Sequence, residues 1–144
     1  MTATFQTTPI APAGPTNASP DGYKPGVCNI GPAEIARRRR AGHVGLAATL
    51  FLLIGLVAIG APPPVRLLVA LPAAAAASGY LQARFKFCAG FGSKGIYNFG
   101  DLGTTVQVEA AEARRRDRSR ANQIGLASAA IGLAVGLVAV GLPL

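Results

Sequence analysis

Three long apolar runs dominate the 144-residue chain, and each is close to the length of a membrane span. They cover residues 44–60, 65–82 and 122–144, the last being apolar chiefly from Ile124 to Leu142. A helix needs about 20 apolar residues to cross a hydrocarbon core of about 30 Å. The pattern therefore predicts an all-α integral membrane protein with three transmembrane helices.

The first two apolar runs are separated only by a short proline-rich segment, Pro62-Pro63-Pro64. Proline cannot continue a helix and disfavours helical geometry in the residue before it. The sequence thus predicts a tight helical hairpin followed by a third span. Arg66 lies at the start of the second run, where its long side chain is expected to extend to the lipid headgroups. Pro72 is expected to kink the second span.

The positive charge is strongly asymmetric across the predicted spans. The net charge is +8, and of fourteen Lys and Arg residues only Arg66 lies on the far side. Short cytoplasmic loops retain Lys and Arg, so the N-terminus and residues 83–121 are predicted inside and the C-terminus outside. The chain is rich in Ala, Gly, Arg and Pro, a composition that favours a GC-rich bacterial genome and hence the bacterial inner membrane.

The segments outside the spans differ in character. Residues 1–27 are rich in Pro and poor in bulky aliphatic residues, which predicts a disordered cytoplasmic tail. Residues 28–82 comprise a helix start at Gly31-Pro32-Ala33-Glu34 and the hairpin; proline and an acidic residue both favour the first turn. Residues 83–121 form a basic, aromatic interfacial loop and an amphipathic cytoplasmic helix, which is expected to begin at Thr104 because Gln107 completes a capping box.

The basic residues beside the spans point to lipid as a partner. Each contributes about 1 kcal/mol of attraction to anionic headgroups, and aromatic rings interleaved with cations suit the headgroup layer. The predicted headgroup contacts are Arg37, Arg38, Arg39, Arg40, Arg84, Lys86 and Lys94. No nucleic-acid partner is expected, because no recognition helix, zinc spacing or RNA-binding motif accompanies the charge.

Cys28 and Cys88 are the two cysteines, and both map to the predicted cytoplasmic side, where thiols are kept reduced. Cys28 precedes a helix start and four arginines, an electropositive setting typical of reactive thiols. Cys88 is expected among apolar neighbours. Ordinary reduced thiols, a redox pair and shared metal ligation all stay open. A metal site would have too few ligands, because His43 is the single histidine. Neither a metal nor a cofactor is therefore predicted.

Other motifs argue against catalysis. The run Gly90–Gly95 matches G-x-G-x-x-G, but a dinucleotide site needs a preceding strand and an acidic residue about twenty positions later. Here the run follows an apolar span, which favours a flexible or interfacial loop. The span centres carry no ionisable residue, which disfavours an ion-coupled transporter. No catalytic constellation is recognisable, so the chain is predicted to be noncatalytic.

The third span carries small residues at helical spacing: Gly125, Ala129, Gly132 and Gly136. Small residues let a second helix approach closely, which gives van der Waals contact where lipid supplies no hydrophobic drive for association. The sequence therefore predicts a helix-packing face. The facing helix is either in the protein's own hairpin or in another protomer or protein.

Taken together, these features predict an accessory, assembly or scaffold subunit of a membrane complex. Its expected partners are the lipid bilayer, anionic lipids and either a second copy of itself or another membrane protein. The alternative is a thiol-dependent redox sensor or redox component that uses Cys28 and Cys88.

Overall fold

A computed structural model of the chain describes residues 22–143. The elements follow in the order α1 (Pro32–Ala58), α2 (Pro63–Arg66), a 3-10 helix (Leu67–Val69), α3 (Ala70–Phe85), α4 (Ala89–Lys94), β1 (Ile96–Tyr97), β2 (Val106–Gln107) and α5 (Ala111–Gly141). Among these described residues, three helical stretches are long and apolar enough to cross a membrane: Pro32–Ala58, Pro63–Phe85 and Ala111–Gly141. The prediction of a mostly helical chain with three helices of spanning length is confirmed.

The folded region begins earlier than the boundary at residue 27 that the sequence predicts. Most of the predicted disordered tail, residues 1–21, lies outside the described residues. Tyr23, however, is only 5% exposed, and its ring stacks on Tyr97 with the centroids 4.6 Å apart. An aromatic partner therefore holds the end of this segment in place.

Helix α1 begins at Pro32, where the sequence predicts a helix start, and Glu34 lies in its first turn. Proline is favoured there because its missing N–H has no helical partner in any case. The helix continues for 27 residues through the basic run and the apolar run. At 1.5 Å per residue it is about 40 Å long, so it extends beyond the apolar run at the arginine-rich end, which we call the basic end.

Helices α1 and α3 pack in antiparallel directions through small residues. Gly45 lies against Ala76, and Gly42 lies against Gly79. A Cβ on Gly45 would be 2.7 Å from the Ala76 backbone nitrogen, and one on Gly79 would be 2.5 Å from the Gly42 nitrogen. Only residues without large side chains allow backbones to approach this closely.

Helix α5 packs antiparallel to α3 in the same manner. A Cβ on Gly132 would lie 2.5 Å from the Ala74 Cβ, and one on Gly136 would lie 2.8 Å from the Ala70 Cβ. At the end opposite the basic end, Leu56 and Val69 form part of a small apolar core that also contains residues of α5. The three long helices thus form one bundle with α3 at its centre.

The connection between α1 and α3 is short, and Arg66 is buried in it. Arg66 is 4% exposed; its Nε donates to the Ala61 carbonyl and its Nη1 to the Leu142 carbonyl, both at 3.1 Å. These carbonyls follow the ends of α1 and α5, where backbone acceptors lack helical partners. The expected headgroup position of Arg66 is therefore replaced by a structural one. Pro72 lies in the first turn of α3, directly after the 3-10 helix. This position suits proline, because proline has no backbone N–H to donate to a helical hydrogen bond.

Residues 22–31 and 86–110 fold together at the basic end, and we call them the cap. Strands β1 and β2 are antiparallel, pairing Tyr97 with Val106, and Ile30 forms a parallel bridge to Asn98. The predicted helix start at Thr104 is wrong, since α5 begins at Ala111. Thr104 instead donates to the Asp101 carbonyl at 2.7 Å and closes a turn, after which the β-branched Val106 extends the chain.

Candidate functional site

The cap is fastened to α5 through one buried carboxylate. Asp117 is fully buried and accepts the Tyr23 hydroxyl at 2.6 Å and the Gly26 amide at 2.7 Å. It lies before the apolar run of α5 that begins at Ile124. Burial raises the pKa of Asp117 above its ordinary value, and the two hydrogen bonds offset this only in part. Burial, with the hydrogen bond to Asp117 next, likewise raises the pKa of Tyr23.

A second buried contact fastens the N-terminal part of the cap to the start of α4. Asn29 is fully buried; its Nδ2 donates to the Cys88 carbonyl at 3.0 Å, and its Oδ1 accepts the Cys88 amide at 2.6 Å. The Asn29 backbone also pairs with Lys86 and with Asn98. One asparagine therefore joins three segments of the chain, and protein groups satisfy its side-chain amide and its backbone N–H and carbonyl.

The Cys88 side chain contacts Arg38, which in turn pairs with Glu34. Its Sγ accepts from Arg38 Nη2 at 2.9 Å and from the Phe91 amide at 3.4 Å. The same Arg38 Nη2 is 3.6 Å from Oε2 of Glu34, whose side chain is 1% exposed. Within residues 22–143 neither Glu34 carboxylate oxygen has a hydrogen-bond partner. The carboxylate is held by ion pairing with Arg37 and Arg38 rather than by hydrogen bonds.

The structure brings the two candidate redox residues into one neighbourhood. Cys28 is half-buried and donates to the Ile30 carbonyl at 3.8 Å, whereas Cys88 is 2% exposed. The residue after Cys28 is Asn29, which holds Cys88, and both thiols are free. The arginine contact lies at Cys88, which the sequence predicts to lie among apolar neighbours.

Within the described part of the chain, no group of three or more His, Cys, Asp and Glu residues is placed to hold a metal ion. His43 Nδ1 instead lies 2.7 Å from the Tyr80 hydroxyl, and the two rings meet edge to face.

Six of the seven predicted headgroup residues are exposed at the basic end: Arg37, Arg39, Arg40, Arg84, Lys86 and Lys94. Arg38 is the exception. Its side chain is 22% exposed and turns inward to Glu34 and Cys88, because these two groups offer the guanidinium both an ion pair and a hydrogen-bond acceptor.

The aromatic segment serves the interior of the protein more than a headgroup layer. Phe87 is fully buried against Ala121 and Ile124, and Tyr97 lies in a separate core with Tyr23. Phe85 remains 39% exposed, with the Arg120 guanidinium 4.5 Å above its ring. The segment is aromatic largely because it supplies the cap with its core.

The glycine-rich run forms the short helix α4, not the expected loop. Gly92 is buried, and a Cβ there would lie 2.7 Å from the Phe87 ring and 2.9 Å from the Asp117 carbonyl. Gly95 ends the helix with a φ of 70°, a conformation that favours glycine. The glycines therefore permit close packing and end the helix. The element before the run is a helix, whereas a dinucleotide site needs a strand there.

The predicted packing face of α5 is only partly the one in contact. Gly132 and Gly136 lie against α3 of the same chain. In contrast, among residues 22–143 no atom of another element lies within 4 Å of a Cβ placed on Gly125, and Ala129 is exposed. The residues of α5 that are buried are Ala113, Asp117, Ala121, Ile124, Ser128, Gly132, Gly136 and Ala139. Gly125 and Ala129 fall beside this row because α3 meets α5 along the line of Ile124 and Ser128.

Sequence reasoning missed the residues that fasten the cap: Tyr23, Gly26, Asn29, Asn98 and Asp117. One signal was available, since Asp117 is the single acidic residue within the arginine-rich run 114–120. Its spacing of four residues from both Ala113 and Ala121 places it on the buried face. The asparagines gave no local signal, because their partners are distant in sequence.

Comparison with protein-family models, with curated proteins and with solved structures finds no match to the chain.

Proposed function

We propose that the chain is a small noncatalytic multi-pass protein of the bacterial inner membrane, an accessory, assembly or scaffold subunit of a membrane complex. In this proposal the cap faces the cytoplasm and presents a basic surface to anionic lipid and to a protein partner. The observation that carries the proposal is the buried attachment of the cap to α5 through Asp117, which fixes the shape of that surface.

The outward faces of the helices support placement in a bilayer. Phe51 is 77% exposed, Leu126 is 73% exposed and Val44 is 70% exposed. Soluble proteins rarely leave large apolar areas uncovered, and lipid would cover these side chains. The helices contact one another through Gly and Ala, which is typical of packing inside membranes.

The charge distribution supports the orientation. The cap and the adjoining helix ends carry all the Lys and Arg residues except Arg66. Basic residues near spans are retained on the cytoplasmic side. Arg66 is engaged by carbonyls at the other end, so it contributes no competing exposed charge there.

The length of α5 supports a role in binding a protein. Its 31 residues extend about 46 Å, compared with about 30 Å for the hydrocarbon core. About ten residues therefore stand beyond the core at the basic end, among them the exposed Arg114, Arg115 and Arg118. A rigid cap beside a projecting basic helix suits an acidic protein surface.

Co-purification in mild detergent tests the proposal. The tagged parent protein is expected to retain a defined membrane-protein partner or a second copy of itself. Asp117→Ala removes the acceptor for Tyr23 and Gly26, so it should lose the partner while the three long helices persist by circular dichroism. Asp101→Ala is the matched control, because its side chain is exposed in a turn. Recovery of the parent protein as a lone monomer contradicts the scaffold proposal.

The second candidate function is thiol-based, and one observation favours it. A guanidinium 2.9 Å from Cys88 Sγ is a setting typical of reactive cysteines. Oxidation of Cys28 and Cys88 to a disulfide would release two protons and two electrons to an added oxidant. The low exposure of Cys88 means that the cap must open for this to occur.

A further inference from the structure

A groove of about 470 Å³ opens between α1 and α3 at the basic end. Its lining residues are Ile35, Arg39, Tyr80, Ala83, Arg84 and Lys86. Three of the six are cations and none is acidic. The groove is distinct from the buried contacts of Asp117 and Cys88, because neither residue lines it.

The three cations of the groove are electrostatically unsatisfied. Arg39, Arg84 and Lys86 are exposed, and within residues 22–143 their side chains take part in no ion pair or hydrogen bond. Arg38 and Arg116, in contrast, pair with Glu34 and Glu112. Like charges around one concavity raise its positive potential and attract an anion.

Lys86 occupies a backbone position that favours glycine. It caps α3 with φ 53° and ψ 36°, and it is the single non-glycine residue with positive φ in the described part of the chain. Glycine is the usual residue at such helix ends. An observed departure of this kind is a reason to look for a function of the side chain, and the Lys86 side chain lines the groove.

Along the helices, the groove combines a basic part with an apolar part. Ile35, Ala83 and the Tyr80 ring supply its apolar surface. Leu46 and Leu50 follow Arg39 by seven and eleven residues, which places them on the same side of α1. They remain 44% and 52% exposed. A cluster of cations therefore continues into an uncovered apolar track.

We propose that this groove binds one anionic phospholipid. The phosphate lies among Arg39, Arg84 and Lys86, and an acyl chain follows the track of Leu46 and Leu50. Basic pockets between helices at the cytoplasmic side of a membrane bind phosphate-bearing lipid headgroups in this way. The inference rests on the proposed placement of the basic end at the cytoplasmic leaflet, and it deepens that proposal from a general charged surface to a defined site.

Native mass spectrometry of the full chain in neutral detergent tests the site. The probes are dioleoyl phosphatidylglycerol and, as the uncharged comparison, dioleoyl phosphatidylcholine. We expect one phosphatidylglycerol to be retained in preference to phosphatidylcholine. Arg39→Gln, Arg84→Gln and Lys86→Gly should each weaken its retention about fivefold, the effect of removing one cation from a headgroup contact.

Matched controls separate this site from general charge. Arg40→Gln removes the neighbouring arginine on α1, and Lys94→Gln removes an exposed lysine of the cap; neither lines the groove. Arg40 and Lys94 are predicted headgroup contacts outside the groove, so each substitution should weaken lipid retention much less than the groove variants do. Lys86→Gly is informative in a second way, because glycine suits the left-handed conformation and the variant should fold at least as stably as the parent protein.

Three results would overturn the site. The first is an equal loss of phosphatidylglycerol in the groove and control variants, which indicates diffuse attraction. The second is full displacement by inorganic phosphate at the same concentration as the lipid, which shows that the acyl chain contributes nothing. The third is loss of an acidic protein partner from the groove variants with lipid retention unchanged. Because lipid binding is measured without a partner and without reference to orientation, its failure is distinguishable from failure of the scaffold proposal.

Discussion

Among single residues, Asp117 is the buried carboxylate that joins the cap to α5. It lies on the inward row of α5 between Ala113 and Ala121, so its carboxylate cannot reach water. A buried carboxylate is costly unless hydrogen bonds compensate it. Tyr23 and Gly26 provide these bonds, and in doing so they order a segment more than ninety residues away in sequence.

Tyr23→Phe should loosen the cap. The substitution removes the hydroxyl that donates to Asp117 but keeps the ring that stacks on Tyr97. A hydrogen bond to a charged group contributes about 1.5–3 kcal/mol, and the opening free energy of residues 22–31 should fall by about this amount. Hydrogen exchange of these residues measures it. Tyr97→Phe is the control, since within the described residues the Tyr97 hydroxyl has no hydrogen-bond partner; equal effects of the two variants would refute the role of the Tyr23 hydroxyl.

The same pair predicts sensitivity to alkaline pH. The pKa of Tyr23 is raised in the folded state above its ordinary value of 10.0. Folding therefore favours the protonated phenol, and this contribution to stability is fully present below about pH 10 and is lost as the pH rises further. Cap protection should decrease above pH 10 in the parent protein. In Tyr23→Phe this part of the decrease should be absent, and an unchanged pH profile would contradict the assignment.

The thiol-based function requires that Cys28 and Cys88 can form a disulfide. Mild oxidation with diamide should join Cys28 and Cys88 within one chain and shift its mobility on a nonreducing gel. Arg38→Gln, which removes the cation beside Cys88, should slow the reaction, whereas Arg40→Gln should not. If no crosslink forms although both thiols react with maleimide after unfolding, the cysteines are structural.

At the scale of elements, the bundle depends on close contact between α3 and α5. Gly132→Leu and Gly136→Leu should each destabilise it by about 1–3 kcal/mol, because overpacking displaces backbone or forces unfavourable rotamers. Gly125→Leu is a matched control on the same helix, since no other element of the described chain comes within 4 Å of a Cβ at this position. Thermal unfolding in detergent gives the comparison. If Gly125→Leu were as unstable as Gly132→Leu, the contact with α3 would have been assigned to the wrong side of α5.

The elements differ in how far sequence alone predicts them. The long helices are predictable because apolar length and the proline at the start of α1 are local signals. The α3-facing side of α5 was predicted only at Gly132 and Gly136, because the position of the contact line depends on the partner helix. Strands β1 and β2 contain two residues each, and they are held by pairing with each other across the intervening turn. This pairing prevailed over the helix-capping pattern at Thr104.

The candidate site was predicted less completely than the helices. Exposure of most basic residues follows from charge alone, but the inward turn of Arg38 depends on Glu34 and Cys88 together. The bonds from Asn29 to Cys88 and from Tyr23 to Asp117 span 59 and 94 residues. No local pattern indicates such pairs, because each becomes possible only after the bundle has brought its helix ends together.

In the whole molecule, the polar side-chain contacts that join different elements are divided between the two ends of the bundle. The cap closes one end through Asn29 and Asp117, and Arg66 closes the other by bonding to backbone carbonyls. The middle is held by small residues and carries apolar side chains outward. This arrangement suits a protein that spans a bilayer and offers one folded, positively charged face.

Cysteine labelling in intact cells, with a maleimide that cannot cross membranes, tests whether the chain crosses the membrane three times with the cap in the cytoplasm. In a Cys28→Ser, Cys88→Ser background, single cysteines are introduced as Pro62→Cys in the turn before α2, Leu102→Cys in the cap and Pro143→Cys after α5. All three positions are exposed. We expect the first and third to be labelled in intact cells and Leu102→Cys to be labelled only after permeabilisation. Labelling of Leu102→Cys in intact cells, or protection of Pro143→Cys, would contradict three spans with a cytoplasmic cap.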